Sequence, residues 1–218
     1  MNKRIYCISG LGADEKVFSK LTLAGCELVF LPWFMPQHNE SIQDYARRMS
    51  LRIQEERPVV LGVSYGGMVA IEISKLLELE KLILVSSVTT KYALPWWMRA
   101  SGKLQLHKLV RPRPHPLFYP IENYFLGTSS KSEKRMANQF RKHVDGRFVQ
   151  WAINEIVTWS NVTKPANYVQ IHGTGDKLFP VHKSEAAYLI KGGGHFMIYN
   201  RASEISKIIV NELQLQTQ

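Results

Sequence analysis

An α/β fold with a mostly parallel sheet of about six strands is what three features of this 218-residue chain predict. Short apolar runs at residues 4–9, 27–31, 59–63, 81–86, 167–172 and 187–191 alternate with helix-period or irregular stretches. Continuous apolar runs of this kind suit strands covered on both faces, hence a three-layer arrangement. The run 58–63 passes through Gly62-Val63-Ser64-Tyr65-Gly66 straight into a second apolar stretch, a strand, a tight turn and a helix. Two later runs also end in glycine turns, Gly173-Thr174-Gly175-Asp176 and Gly192-Gly193-Gly194-His195.

The elements follow in order. Residues 4–9 form the first strand and Gly10-Leu11-Gly12-Ala13-Asp14 a tight turn, with Asp14 placed to cap a helix bearing Val17, Phe18 and Leu21 on one face. The second strand ends at Pro32. Ser41, with Asp44 three residues on, opens a helix through Tyr45, Met49 and Ile53 in a placement like a capping box. Pro58 closes that region and opens the third strand. Gly62 and Gly66 suit an elbow whose two arms approach closely, and Gly67 lets the outgoing helix, through Met68, Ile71 and Ile73, lie near the sheet.

Regularity breaks between Val88 and about Thr163. Prolines 95, 112, 114, 116 and 120 and a helix-compatible scatter of aromatic residues occupy some seventy residues, too many for an ordinary loop. This predicts an inserted helical cap at 88–163 on a core formed by 1–87 and 164–218. Trp96, Trp97, Phe140, Phe148, Trp151 and Trp159 either glue that cap to the core or line an apolar substrate pocket beneath it. A closing helix through Ile198, Ile205, Ile208, Ile209 and Leu213 completes the chain.

Composition narrows the function classes. The hydrophobic fraction of 45% is ordinary for a globular protein. No run of eighteen apolar residues is present, and the first strand is too short for a signal peptide's apolar core, so a cytoplasmic protein without a transmembrane segment is expected. Cys7 and Cys26 read as buried thiols in a reducing compartment, and no Cys/His cluster suggests zinc. The net charge is +10, and residues 91–147 hold twelve Lys or Arg against three acids, net +9. Such a field suits a solvated surface, an anionic ligand or an acidic partner. Nucleic-acid binding has no matching motif, and Gly10-Leu11-Gly12 lacks the Lys-Ser/Thr of a P-loop.

The chemistry begins at Ser64, a weak nucleophile unless a base lies within hydrogen-bond reach. His195 stands out among seven histidines because a strand end and a triple-glycine turn deliver it to the carboxyl edge of the sheet. Asp176, at another strand end, suits the orienter of its ring. Competing readings make Asp176 a stabiliser of its own turn and His195 a cap of the last helix, with His172, Asp145 and Glu185 as substitutes. The N–H groups of Tyr65 and Leu11 are the expected donors to an oxyanion.

With these residues in this order the chain resembles the α/β-hydrolase family: Gly62 to Gly66 match its nucleophile elbow, Gly10-Leu11 its oxyanion loop, Asp176 its acid loop and His195 its histidine loop. The resemblance spans nearly the whole chain and points to small cap-bearing esterases. It implies the α/β-hydrolase fold with reduced N-terminal strands, since the run at 4–9 resembles the family's third strand. Ser9 stands where many members carry His. Ser64 at the elbow sets the chain apart from dehalogenases with Asp there and from dienelactone-type enzymes with Cys. No spacing singles out the polar groups of a hydroxynitrile lyase.

The implied activity is hydrolysis of a carboxylic ester or related acyl bond of a small or medium substrate through a Ser64–His195–Asp176 triad and an acyl-enzyme, with no metal or organic cofactor. Two alternatives are a thioesterase whose basic cap docks an acidic acyl carrier, and a non-catalytic hydrolase-fold protein that binds a ligand or partner.

Overall fold

The computed structural model describes residues 2–106, 116–180 and 188–214. Six strands, β1 (Lys3–Ile8), β2 (Cys26–Phe30), β3 (Val59–Val63), β4 (Lys81–Val85), β5 (Tyr168–Gly173) and β6 (Tyr188–Ile190), form one sheet in the order β2-β1-β3-β4-β5-β6. Every pairing is parallel. The C-terminal ends of all six strands therefore share one edge, and the turns after β1, β3, β5 and β6 are gathered there.

Side chains of successive strand residues point to opposite faces, and two cores result. Tyr6, Ile8, Val60, Leu82 and Leu84 face the helices α1 (Ile42–Ser50) and α2 (Tyr65–Ile73), where Tyr45, Met49, Met68 and Ile71 meet them. Ile5, Cys7, Leu61, Val63, Ile83 and Ile171 face the other way. There they meet α7 (Met197–Asn200) and α8 (Ala202–Glu212) through Met197, Ile205 and Ile209, with Val17 and Phe18 of a 3₁₀ turn at Glu15–Phe18. This is the three-layer arrangement that apolar strands demand.

Between β4 and β5 the described elements are all helical: a 3₁₀ turn at Lys91–Ala93, α3 (Trp96–Lys103), a 3₁₀ turn at Pro116–Phe118, α4 (Tyr119–Leu126), α5 (Lys131–His143) and α6 (Gly146–Thr158). Gly102 of α3 packs so tightly on α6 that a Cβ there would lie 2.0 Å from the Val157 carbonyl oxygen. Phe148, Ala152 and Trp159 join the core against α1 and α2, while Phe140 joins the opposite one. Trp159 is tied by its indole N–H to the buried Glu72 carboxylate of α2 at 2.8 Å.

Local departures have physical causes. Asp14 does cap, accepting from the Lys16 N–H, but the segment it caps is the single 3₁₀ turn rather than a longer helix, and Leu21 falls outside it. Ser41 caps α1 as expected, accepting from Asp44 N–H, and the helix ends at Ser50, before Ile53. The closing helix is two helices, because Arg201 leaves the helical region at φ −121°, ψ 25°. Pro112, Pro114, Glu185 and Ala187 lie outside the described residues. Among the described residues no helix is long and apolar enough to cross a membrane. Cys7 is buried, Cys26 is half-exposed, and both are free thiols.

Candidate active site

The turn after β3 is tightly constrained. Ser64 adopts φ 53°, ψ −121°, a conformation that L-residues rarely hold and that costs on the order of 1–3 kcal/mol. Its surroundings enforce it: Ser64 N–H donates to the Val85 carbonyl at 3.0 Å, and its carbonyl accepts from the Ser87 hydroxyl at 2.7 Å and Gly67 N–H at 3.0 Å. Chain crossings at this elbow leave no room for a Cβ. One on Gly66 would lie 2.2 Å from the Ser9 carbonyl oxygen, and one on Gly62 would lie 2.6 Å from Gly67 Cα. The Ser64 side chain caps none of the first-turn N–H groups of α2.

Ser64 Oγ instead meets His195. The hydroxyl lies 2.8 Å from His195 Nε2, and His195 Nδ1 lies 2.9 Å from Asp176 Oδ2. All three side chains are buried. Because a carboxylate only accepts, Nδ1 carries the ring proton, which leaves Nε2 as an acceptor for the serine O–H. The other carboxylate oxygen, Asp176 Oδ1, accepts from the Leu178 and Phe179 N–H groups, each at 2.9 Å. Asp176 thus holds hydrogen bonds to its own turn and to His195 at once. His195 caps no helix; the residue before α7 is Phe196, with no side-chain capping bond.

His172 stands beneath this arrangement. Its Nε2 lies 2.7 Å from the Phe179 carbonyl oxygen and 3.4 Å from Asp176 Oδ2. Both neighbours are acceptors, so Nε2 carries the proton, and the Phe179 ring packs edge-on against His195 at 5.3 Å and 78°. Burial by itself raises the Asp176 carboxyl. The charge of protonated His195 and hydrogen bonds from His172, His195 and Phe179 N–H outweigh it and hold the group well below its ordinary 3.8.

Gly10, in the turn after β1, abuts the elbow, since a Cβ on it would lie 3.4 Å from Ser64 Cβ. Leu11 follows it, and Tyr65 is the first residue of α2.

Of the six aromatic residues expected at a pocket, two come near this edge. Phe148 and Trp151 form one aromatic cluster with Trp33, Tyr45 and Tyr65, the Trp151 ring lying edge-on to Tyr65 at 6.1 Å. Trp96 and Trp97 instead face solvent, 69% and 46% exposed, because α3 turns Met98 and Gly102 inward. Phe140 fills the core on the α7 and α8 face, and Trp159 is held by Glu72. These four are not brought to the elbow.

Asp145 caps α6 by accepting from Arg147 N–H at 2.7 Å, which is its role in the fold. The described cations of 91–147 lie on the 3₁₀ turn at Lys91–Ala93, on α3, on α5 and at the start of α6; Arg141 pairs with Glu122 and Arg147 with Asp145. Lys108, Arg111 and Arg113 lie outside the described residues. Among the described residues no group of three or more His, Cys, Asp or Glu side chains is placed to hold a metal ion.

The family model described as "Alpha/beta hydrolase family" matches residues 21–207. The chain belongs to the alpha/beta hydrolase family. No curated protein matches it in sequence. Among solved members of similar fold, a hydrolase from Pseudomonas aeruginosa PA01 superposes with a TM-score of 0.74 at 12% identity, covering 97% of this chain and 90% of that one. MenH from S. aureus gives 0.72 at 15% identity, covering 98% and 94%. A thermophilic esterase from Thermogutta terrifontis gives 0.69 at 12% identity, covering 98% and 90%. At these identities the likeness is one of fold.

Proposed function

We propose that this member of the family is a serine hydrolase that cleaves a carboxylic ester, or a related acyl bond, of a small or medium substrate. What supports the reading is the unbroken hydrogen-bond chain from Ser64 Oγ through His195 to Asp176, buried at the carboxyl edge of the sheet. His195 Nε2 takes the serine proton as Oγ attacks the acyl carbon, and Asp176 stabilises the imidazolium that forms. The oxyanion accepts from the N–H groups of Tyr65 and Leu11. His195 then hands its proton to the leaving alcohol, and water attacks the acyl-enzyme by the same steps. The helical segment between β4 and β5 is the cap, with Phe148 and Trp151 its aromatic contribution nearest the elbow. No metal or organic cofactor enters these steps.

The test is a panel of p-nitrophenyl acetate and butyrate, a lactone and an acyl thioester, offered to the purified chain. Hydrolysis of a short ester, with an acyl mass added to the protein on rapid acid quench, is the expected result. A folded protein that turns over none of the panel and gains no acyl mass would overturn the reading.

A further inference from the structure

Trp33, in the loop after β2, touches both segments that flank the serine. Its indole N–H reaches Ser9 Oγ at 2.9 Å and the Gly10 carbonyl at 3.2 Å. Ser9 is fully buried, and its own hydroxyl donates to the Ala13 carbonyl at 2.6 Å. Ala13 N–H in turn donates to the Gly10 carbonyl at 3.1 Å. The turn from Ser9 to Ala13 is thus closed on itself and on the indole. A trans peptide points its N–H away from its C=O. Fixing the Gly10 carbonyl toward Trp33 and Ala13 therefore turns the Leu11 N–H to the opposite side of that peptide. The same indole stacks on the Tyr65 ring at 5.5 Å and 18°, and packs on Phe148 of α6 at 5.3 Å.

We infer that Trp33, braced by Ser9, is the positioning residue of the oxyanion site, setting the Leu11 and Tyr65 N–H groups in register with each other. The inference rests on the serine-hydrolase reading. It also gives a definite role to Ser9, which stands where the family resemblance has His, because its hydroxyl links the indole to the far end of the loop. Trp33 touches no reacting atom in this scheme, so its removal misaligns donors rather than deleting them.

The effect belongs to the transition state, because the donors meet the developing oxyanion charge there and only a neutral carbonyl in the bound substrate. Trp33→Phe keeps an aromatic ring and removes the N–H. Per active site titrated with a fluorophosphonate, it is expected to lower kcat on p-nitrophenyl butyrate about tenfold, less than the loss of a whole donor, with KM within about twofold. Affinity for an alkyl trifluoromethyl ketone, whose adduct places an oxyanion at the same point, should fall by the same factor. Ser9→Ala is expected to show the same pattern, about threefold, and carries the comparison if Trp33→Phe does not fold. An unchanged kcat per titrated site, or a loss that the ketone affinity does not follow, overturns the inference. Failure of the serine-hydrolase reading is separate: wild-type Ser64 would then take no fluorophosphonate, and both would fall.

Discussion

Ser64→Ala and His195→Ala will each lower kcat/KM for the best ester by about 10⁴-fold or more, and the double variant will lose no more than either single one. In the proposed mechanism the two side chains act as one unit. His195 Nε2, the proposed base, lies 2.8 Å from Ser64 Oγ, and without the imidazole the hydroxyl stays a weak nucleophile. Without the hydroxyl the imidazole has nothing to activate. Residual turnover then comes from substrate binding and from the backbone donors, which neither change removes. Steady-state kinetics on both singles and the double, with thermal melts to confirm folding, checks this. Losses that multiply in the double variant would mean two independent contributions and contradict the scheme.

Asp176→Asn will lower kcat by about 10³-fold or more and will also change how stability depends on pH. Four donors face the carboxylate: Leu178 and Phe179 N–H on Oδ1, His195 and, at longer range, His172 on Oδ2. An amide NH₂ must oppose one of those pairs. Turned toward His195 it selects the wrong ring tautomer; turned toward the loop it sets donor against donor. The pH dependence arises from the lowered folded-state value of Asp176. Over a range below the unfolded value of 3.8 the unfolded chain binds the proton and the folded one does not. The stabilisation is therefore fully present above about pH 5 and is lost as pH falls through the folded value. Urea melts of the wild type from pH 7 to pH 3 should show its margin over Asp176→Asn shrinking toward the acid end. A margin independent of pH would contradict the assignment of that carboxylate.

Much of the site is legible in the sequence because its three side chains sit at the ends of apolar strands, at glycine turns. A parallel sheet collects such ends at one edge without further information, so Ser64, Asp176 and His195 can be assembled from strand order alone. Gly62, Gly66 and Gly67 are legible for the same reason, since an elbow on a packed sheet excludes a Cβ. Facing inside the long helical segment is not legible. Trp96 and Phe148 look alike as letters, and only the packing of α3 on α6 turns one to solvent and the other into the core. Trp33 escapes notice because it lies in a loop with no period, and its importance depends on tertiary contact with Ser9, Gly10 and Tyr65. His172 is visible as a strand end. Its hold on Asp176 becomes apparent only when the chain folds the Phe179 carbonyl back over it.

The claim on which the rest depends is that Ser64 is an activated nucleophile. Incubation of the folded protein with a fluorophosphonate, followed by mass measurement and peptide mapping, tests it most directly. A single adduct is expected, on Ser64, formed far more slowly in His195→Ala. An adduct on a different serine, or labelling that persists unchanged in Ser64→Ala, would contradict the claim.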